Sequence, residues 1–308
     1  MKVLIYGHRG WIGEQFVAIM KNENINFHLG KARVENEESI RQEIDEVQPT
    51  HIISFIGRTH GKIDDKVFTT IDYLEQPGKL FENVRDNLFS PLVLAIISKE
   101  KGIHYTYLGT GCIFEYDNNH PFGKEENGFT EESRPNFFGS SYSVVKGFTD
   151  QLMKMYQDSV LQLRIRMPIT GSKNPRNFIT KITTYEKVCS IPNSMSVLPE
   201  LLPVALEMMK SGKTGTYNFT NPGLISHNEM LEMYKEIVDP KFTWKNFTVD
   251  EQNMILDSKR SNNFLDTTKL ESEYPQVKSI KDSVRDMMVQ YKESLKTSSI
   301  PIDSLWRF

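Results

Sequence analysis

Short apolar runs alternate with amphipathic stretches along the first half of the chain. The runs at residues 3–6, 25–29 and 51–56 are typical of buried strands, and residues 14–21 and 37–47 between them have the pattern of helices. Strands that alternate with helices in this way pair in parallel. The pattern therefore predicts an α/β fold, in which helices cover both faces of a doubly wound parallel sheet.

The pattern continues less regularly towards residue 238. Residues 103–107, 161–166 and 216–219 are predicted strands, the last returning to the main sheet, and residues 72–99, 199–210 and 226–238 are predicted helices. The third of these helices begins at a capping box of Ser226 and Glu229. Asn87 interrupts the long helix, and the sequence leaves open whether its side chain bonds a strand or a loop or faces water. Residues 115–138 are predicted to form a long loop.

Three glycines, Gly7, Gly10 and Gly13, separate the first predicted strand from the first predicted helix. Glycine lets the backbone approach a pyrophosphate, and the free N–H groups at the start of a helix bind its oxygens. Because the motif has the strand and the helix that it requires, we predict a dinucleotide site rather than a tight turn without a ligand.

The residues after the second predicted strand indicate which dinucleotide is bound. A carboxylate that would bind the ribose hydroxyls of NAD is missing there. Lys31 and Arg33 follow the strand instead, and Arg9 lies in the glycine turn. Cations suit the 2′-phosphate of NADP, so we predict NADPH as the cofactor, with a solvated basic loop as the alternative.

Four groups with proton-transfer chemistry lie near the fourth predicted strand. Thr110 and Cys112 follow that strand, where open α/β sheets bind ligands. Tyr142 and Lys146 are four residues apart, which places them on one face of a helix. A phenol beside an ammonium can protonate a ketone, and a thiol can take a proton from carbon. The alternatives are an ordinary surface Tyr and Lys, and a cysteine that acts as a small buried hydrophobe.

Composition and charge exclude other classes of protein. The chain of 308 residues has a net charge of −3 and no long block of Lys and Arg, so neither nucleic acid nor a membrane surface is an expected partner. With no apolar run of membrane-spanning or signal-peptide length, we expect a cytoplasmic protein. Cys112 and Cys189 are expected to be free thiols, and no metal site is expected. The oligomeric state is open, and a homodimer is compatible with the sequence.

The glycine turn, Thr110 and the Tyr142–Lys146 pair together resemble those of the extended short-chain dehydrogenase/reductases. Within that group the chain resembles the UDP-4-keto-6-deoxyglucose 3,5-epimerase/4-reductases over nearly its whole length. The segments that carry this likeness are residues 109–117, 167–169, 174–182, 191–195, 217–223 and 260–263. The resemblance implies a Rossmann domain, residues 1–167 with about 214–222, that binds NADPH. It also implies a smaller C-terminal domain, residues 168–213 and 223–308, that binds the sugar nucleotide.

The resemblance also implies roles for individual residues. Cys112 would take protons from C3 and C5 of UDP-4-keto-6-deoxyglucose, and Lys181 would return them from the opposite face. Tyr142 would protonate the reduced C4 oxygen, and Lys146 would lower the pKa of this phenol from about 10 towards 7. The expected substrate ligands are Asn177, Arg260 and Asn263. The expected cofactor contacts are Gly7, Arg9, Gly10, Trp11, Ile12, Gly13, Lys31, Arg33, Gly57, Asn87, Tyr142 and Lys146.

Two other functions stay open. A reductase without epimerase activity needs Tyr142 and Lys146 but neither Cys112 nor Lys181, which on residue type alone could be a solvent-exposed helix lysine. A non-catalytic NADPH-sensing protein needs only the glycine turn. Neither accounts for all of these residues together.

Overall fold

A computed structural model describes residues 1–124 and 126–297 of the protein. Its strands are β1 (Lys2–Tyr6), β2 (Asn26–Leu29), β3 (His51–Ser54), β4 (Gly61–Ile63), β5 (Lys66–Phe68), β6 (His104–Thr110), β7 (Val160–Ile165), β8 (Lys187–Val188), β9 (Gly215–Asn218) and β10 (Lys245–Asn246). Its α-helices are α1 (Trp11–Asn22), α2 (Glu37–Val47), α3 (Leu80–Val84), α4 (Ser90–Glu100), α5 (Ser141–Lys154), α6 (Phe178–Ile182), α7 (Leu198–Lys210), α8 (His227–Ile237), α9 (Val249–Ile255), α10 (Thr268–Glu273) and α11 (Ile280–Thr297).

Six strands form one parallel sheet in the order β2-β1-β3-β6-β7-β9. The order changes direction between β1 and β3, and ligands of doubly wound sheets bind at the carboxyl ends of the strands beside such a switch. The predicted α/β fold with a parallel, Rossmann-like sheet is confirmed. Strand β9 joins this sheet, as predicted for residues 216–219, and lies at its edge.

Helices cover both faces of this sheet. Val3 and Ile5 point into one core with residues of α1 and α7, and Leu4 and Tyr6 point into another with residues of α2 and α4. Because both faces of β1 are buried from Val3 to Tyr6, these positions are apolar without the alternation of a half-exposed strand.

The glycine turn depends on the absence of side chains at two positions. Gly7 has φ +71°, and a Cβ there would lie 2.7 Å from the carbonyl carbon of Phe55. A Cβ at Gly13 would lie 2.4 Å from the carbonyl oxygen of Gly7. Helix α1 can therefore start at Trp11 and pack against the end of β1 only with glycine at both positions.

The single helix predicted for residues 72–99 is wrong. The structure has a 3-10 helix (Ile71–Glu75), a turn, α3, a π-helical turn (Arg85–Phe89) and α4. Gly78 has φ +78°, and the N–H of Lys79 donates to the carbonyl of Gln76, so Pro77 and Gly78 form the centre of a tight turn. Apolar residues recur with helical spacing on both sides of this turn, and for this reason the hydrophobic pattern predicted one continuous helix across it.

Asn87 lies in the π-helical turn and bonds the loop after β3. Its side-chain oxygen accepts from the N–H of Arg58 at 2.9 Å, and its amide donates to the carbonyl of Arg58 at 2.9 Å. Of the alternatives left open by the sequence, the structure therefore selects the loop.

The residues after β7 form a second core. Ile169, Ile179, Met195 and Met230 belong to it, together with residues of α11. The capping box is confirmed, because Ser226 and Glu229 bond each other's backbone N–H groups. The division into two domains stays a prediction, and residues 298–308 of the second domain lie outside the described residues.

Candidate active site

The start of α5 is tied to the end of β6 through a chain of hydrogen bonds. The Ser143 hydroxyl donates to the carbonyl of Cys112 at 2.7 Å, and the N–H of Cys112 donates to the Thr110 hydroxyl oxygen at 3.0 Å. Ser140 caps the helix by accepting from the N–H of Ser143 at 3.0 Å. These bonds fix Thr110, Cys112 and α5 relative to one another.

Tyr142 lies in a small apolar cluster with Cys112, Phe68, Tyr73 and Leu74. Burial raises the pKa of this phenol, the nearby Cys112 raises it further, and a hydrogen bond with Thr110 partly opposes the rise. The structure therefore brings the predicted phenol, thiol and hydroxyl together.

Lys146 follows one turn later on α5 and is also buried. Its ammonium donates to the hydroxyl of Tyr107 at 2.5 Å. Burial lowers the pKa of Lys146 to about 8, against the opposing effects of Asp150 and Cys112. The expected lowering of the Tyr142 pKa by Lys146 does not occur here, because burial dominates at the phenol and the ammonium bonds Tyr107 instead.

Lys181 lies in α6, and its ammonium donates to the carbonyl of Thr69 at 3.3 Å. Burial lowers its pKa to about 8, and Arg176 and Arg260 add to the effect. Thr69 is adjacent to Phe68, which packs in the cluster of Cys112 and Tyr142. Lys181 thus borders the same site and is not a solvent-exposed helix lysine.

The comparisons with known proteins agree with this geometry. No family model matches the chain. A crystal structure of the L780 UDP-rhamnose synthase from Acanthamoeba polyphaga mimivirus superposes with a TM-score of 0.90 at 51% identity, covering 94% of this chain and 99% of that one. A bifunctional dTDP-4-dehydrorhamnose 3,5-epimerase/dTDP-4-dehydrorhamnose reductase of Arabidopsis thaliana is 48% identical over 282 residues, which are 91% of this chain and 90% of the relative. The chain belongs to the bifunctional 3,5-epimerase/reductase family. This confirms the resemblance found in the sequence.

More distant members of the epimerase/reductase fold share the architecture alone. A dTDP-4-dehydrorhamnose reductase from Bacillus anthracis, crystallised in complex with NADP, superposes with a TM-score of 0.74 at 17% identity, covering 94% of this chain and 98% of that one. At that identity the likeness concerns the course of the backbone.

A cavity of about 360 Å³ lies between the loop after β6 and the residues of α9 and of the segment that follows α9. Arg260 is part of its wall, and the Arg260 guanidinium also pairs with the carboxylate of Asp72 at 2.5 Å. The rest of the wall combines aromatic, aliphatic, amide-bearing and basic residues with one carboxylate: Tyr116, Phe122, Phe137, Ile191, Val249, Gln252, Asn253, Asn262, Lys259 and Glu115.

Two of the predicted substrate ligands are fully buried and bonded to the backbone. Asn177 caps α6 and donates to the carbonyls of Thr170 and Ser172. Asn263 donates to the carbonyl of Gly111 at 2.9 Å. The roles of Asn177 and Asn263 as substrate ligands stay a prediction. The neighbouring Asn262 lines the cavity.

Most of the predicted cofactor contacts belong to the turns after β1, β2 and β3, whereas Tyr142 and Lys146 lie on α5. Arg9 is exposed in the glycine turn, and Arg33 is exposed beyond β2, 3.3 Å from the carboxylate of Glu35. Lys31 is exposed as well, and its N–H donates to Glu43 at 2.6 Å. Gly57 approaches the Asn87 side chain so closely that a Cβ would lie 3.3 Å from its oxygen. Trp11, Ile12 and Gly10 form the junction of the turn with α1.

Two groups of the site escaped prediction from the sequence. The Arg176 guanidinium contacts the His60 ring, whose pKa is lowered to about 3 by burial and by Arg176, Arg58 and Lys181. Tyr107 contacts Lys146 from the middle of β6. Both contacts join segments far apart in the chain, and neither follows from a local motif.

Among the described residues, no group of three or more His, Cys, Asp or Glu is placed to hold a metal ion. In the same part of the chain, no helix is long and apolar enough to span a bilayer.

Proposed function

We propose that the protein converts UDP-4-keto-6-deoxyglucose to UDP-L-rhamnose by epimerising C3 and C5 and reducing the C4 ketone with NADPH. The observation that carries this proposal is the placement of Cys112 and Tyr142 in one buried cluster beside Thr110, with Lys181 on its border. A reductase alone needs the phenol, whereas the thiol and the second amine are groups for proton transfer at carbon. The name of the mimivirus UDP-rhamnose synthase supports the UDP sugar, and the name of the Arabidopsis relative, which specifies dTDP, supports the pairing of 3,5-epimerase and reductase steps.

The epimerase step uses the acidity that the C4 ketone gives to the hydrogens on C3 and C5. Cys112, as the thiolate, takes a proton from carbon, and the negative charge moves to the ketone oxygen. Tyr142 and Thr110 donate hydrogen bonds to that oxygen. Lys181, as the ammonium, returns a proton to the opposite face of the carbon, which inverts it. Since Lys181 has a pKa of about 8, it can give up and regain this proton near neutral pH.

The reductase step uses α5. When bound, NADPH supplies a hydride to C4. Tyr142 donates its phenolic proton to the oxygen of the former ketone, and its raised pKa keeps this proton in place until negative charge develops on that oxygen. Lys146 would hold the ribose next to the nicotinamide and would offer positive charge to the phenolate that remains.

The residues around the glycine turn fit the cofactor. Gly7 and Gly13 keep the backbone close enough for α1 to present its first N–H groups to a pyrophosphate. Arg9 and Arg33 are exposed cations beside this cradle and would bind the 2′-phosphate of NADPH. The cavity beside Arg260 would take the UDP part of the substrate. Lys259 and Arg260 suit its diphosphate, and the aromatic residues suit its base.

The test supplies the protein with NADPH in D2O and with the 4-keto-6-deoxyglucose derivatives of UDP, dTDP and GDP in turn. We expect the UDP compound to give a 6-deoxy-L-mannose product that carries deuterium at C3 and C5 in NMR spectra. A product reduced at C4 that retains the D-configuration and has no deuterium would overturn the proposal in favour of the reductase without epimerase activity. Equal turnover of all three nucleotides would refute the choice of UDP.

A further inference from the structure

The Lys146 ammonium is held by the phenol of Tyr107, a residue of strand β6 in the sheet. It donates to the Tyr107 hydroxyl at 2.5 Å and lies 4.8 Å from the centre of the same ring. Both side chains are almost fully buried, at 5% and 1% exposure. The ammonium therefore has a fixed hydrogen-bond acceptor in a place that water does not reach freely.

The charged and titratable groups that face Lys146 come from its own helix and from β6. On α5 this is Asp150, on β6 it is Tyr107, and beyond β6 it is Cys112. The Asp150 carboxylate accepts hydrogen bonds from the Arg164 guanidinium, at 2.8 and 2.9 Å to its two oxygens. Among the described residues, the Tyr107 hydroxyl is the hydrogen-bond acceptor that the structure gives Lys146.

We propose that Tyr107 is a positioning residue for the reduction. Its hydroxyl holds the Lys146 ammonium at the position where the ammonium contacts the nicotinamide ribose and the Tyr142 phenol. The inference rests on the proposed function, because it assigns Lys146 to the reductase step. Tyr107 acts only through Lys146 and does not touch the substrate.

The physical reason lies in the length of the lysine side chain. A flexible chain of four methylene groups can place its ammonium at many points, and ordering it costs up to about 2 kcal/mol of rotamer entropy. A phenol in the core fixes one of these points before the cofactor arrives. Burial lowers the pKa of Lys146, and in general a hydrogen bond to the charged form of an amine opposes such a lowering. Tyr107 itself stays neutral, since burial raises its pKa well above 10.

The decisive variant is Tyr107→Phe, which keeps the ring and removes the hydroxyl. We expect the Kd of NADPH, measured by fluorescence titration, to rise about five- to tenfold, and kcat for reduction to fall about tenfold. We also expect the alkaline limb of the pH–rate profile for reduction to move to lower pH, because the variant lacks the hydrogen bond that stabilises the charged form of Lys146. The profile is measured with the ketone already inverted at C3 and C5, so that epimerisation does not enter.

The matched control is Tyr105→Phe, the same change two residues earlier on the same face of β6. It should leave the Kd and the alkaline limb as they are, since Lys146 bonds Tyr107. If Tyr107→Phe lowered only the melting temperature, or if both variants shifted the limb equally, Tyr107 would be structural and the inference would be overturned.

A double-mutant cycle excludes a general loosening of the site. In a Lys146→Met background, Tyr107→Phe should have no further effect on the Kd of NADPH, because the partner of the hydroxyl is gone. A full additional effect would contradict the inference. Failure of the proposed function would be visible in the parent protein, which would then not form the L-sugar, whereas failure of this inference would be visible only in the variants.

Discussion

Arg260 and Asp72 form an ion pair across the site, with 2.5 Å between Nη2 and Oδ2. The other carboxylate oxygen accepts from the N–H of Ser258 at 3.0 Å and from its hydroxyl at 2.8 Å. Although burial opposes it, these bonds hold the pKa of Asp72 below its usual value. The pair fixes the guanidinium at the wall of the cavity and joins the segment before α3 to the segment after α9.

We expect Asp72→Asn to lower the free energy of unfolding at pH 7 by about 2–4 kcal/mol, since it leaves a partly buried guanidinium without its charge partner. Because the pKa is lowered in the folded protein, this stabilisation is present above about pH 4 and is lost as the pH falls further. Urea unfolding at several pH values measures it. The control Asp158→Asn removes an exposed pair with Lys99 and should have little effect. A deficit that stayed constant down to pH 3 would contradict the assignment to this carboxylate.

The two half-reactions should separate by mutation. Cys112→Ala removes the base for carbon but leaves Tyr142 and Lys146, so incorporation of deuterium at C3 and C5 should be lost. Tyr142→Phe removes the proton donor to the C4 oxygen, so reduction should fall by about 10²-fold or more while exchange persists. NMR of the sugar measures both. An unchanged rate of L-sugar formation in Cys112→Ala would show that the thiol is structural.

Inversion should depend on the protonation of Lys181. As a proton donor, Lys181 is active below its pKa of about 8, so inversion at C3 and C5 should decline above pH 8. Lys181→Ala should retain wash-out of label by Cys112 but lose inversion. Lys181→Arg keeps the charge but gives up the proton only above about pH 12, so it should abolish inversion as well. Inversion at the parent rate in Lys181→Arg would exclude a role for the amine in proton transfer.

The cofactor preference should depend on the cations near the glycine turn. We expect a higher kcat/KM with NADPH than with NADH, because each charge-assisted contact to the 2′-phosphate contributes about 1.5–3 kcal/mol. Arg9→Ala and Arg33→Ala should each weaken NADPH by about 10- to 100-fold and leave NADH unchanged, which makes NADH the internal control. Equal kcat/KM values in the parent protein would refute the preference.

The parts of the site that sequence could predict are those that depend on local spacing. The glycine turn requires a strand, three glycines and a helix in one short segment, and the Tyr142–Lys146 pair requires only the helical repeat. The buried strand β1 was predictable because both of its faces are apolar.

The remaining parts depend on which segments meet in space. The contact between Tyr107 and Lys146 follows from how α5 packs on β6, and the pair of Arg260 and Asp72 joins residues remote in sequence. That Asn262 lines the cavity while Asn263 donates to the carbonyl of Gly111 likewise depends on how this segment packs against the end of β6.

The position of β9 at the edge of the sheet has a consequence for synthesis on the ribosome. Strand β7 pairs with β6 on one side and with β9 on the other, yet β9 follows α6, β8 and α7 in the chain. At roughly 5–20 residues per second, the outer edge of β7 stays unpaired for several seconds after it leaves the exit tunnel. During this time Arg164 on β7 also lacks its hydrogen bond to Asn218 on β9, whose side-chain oxygen lies 3.3 Å from the guanidinium in the folded protein. An exposed edge of a parallel strand can pair with another chain, so we expect the nascent chain to be most prone to misassembly, and most dependent on chaperones, during this interval.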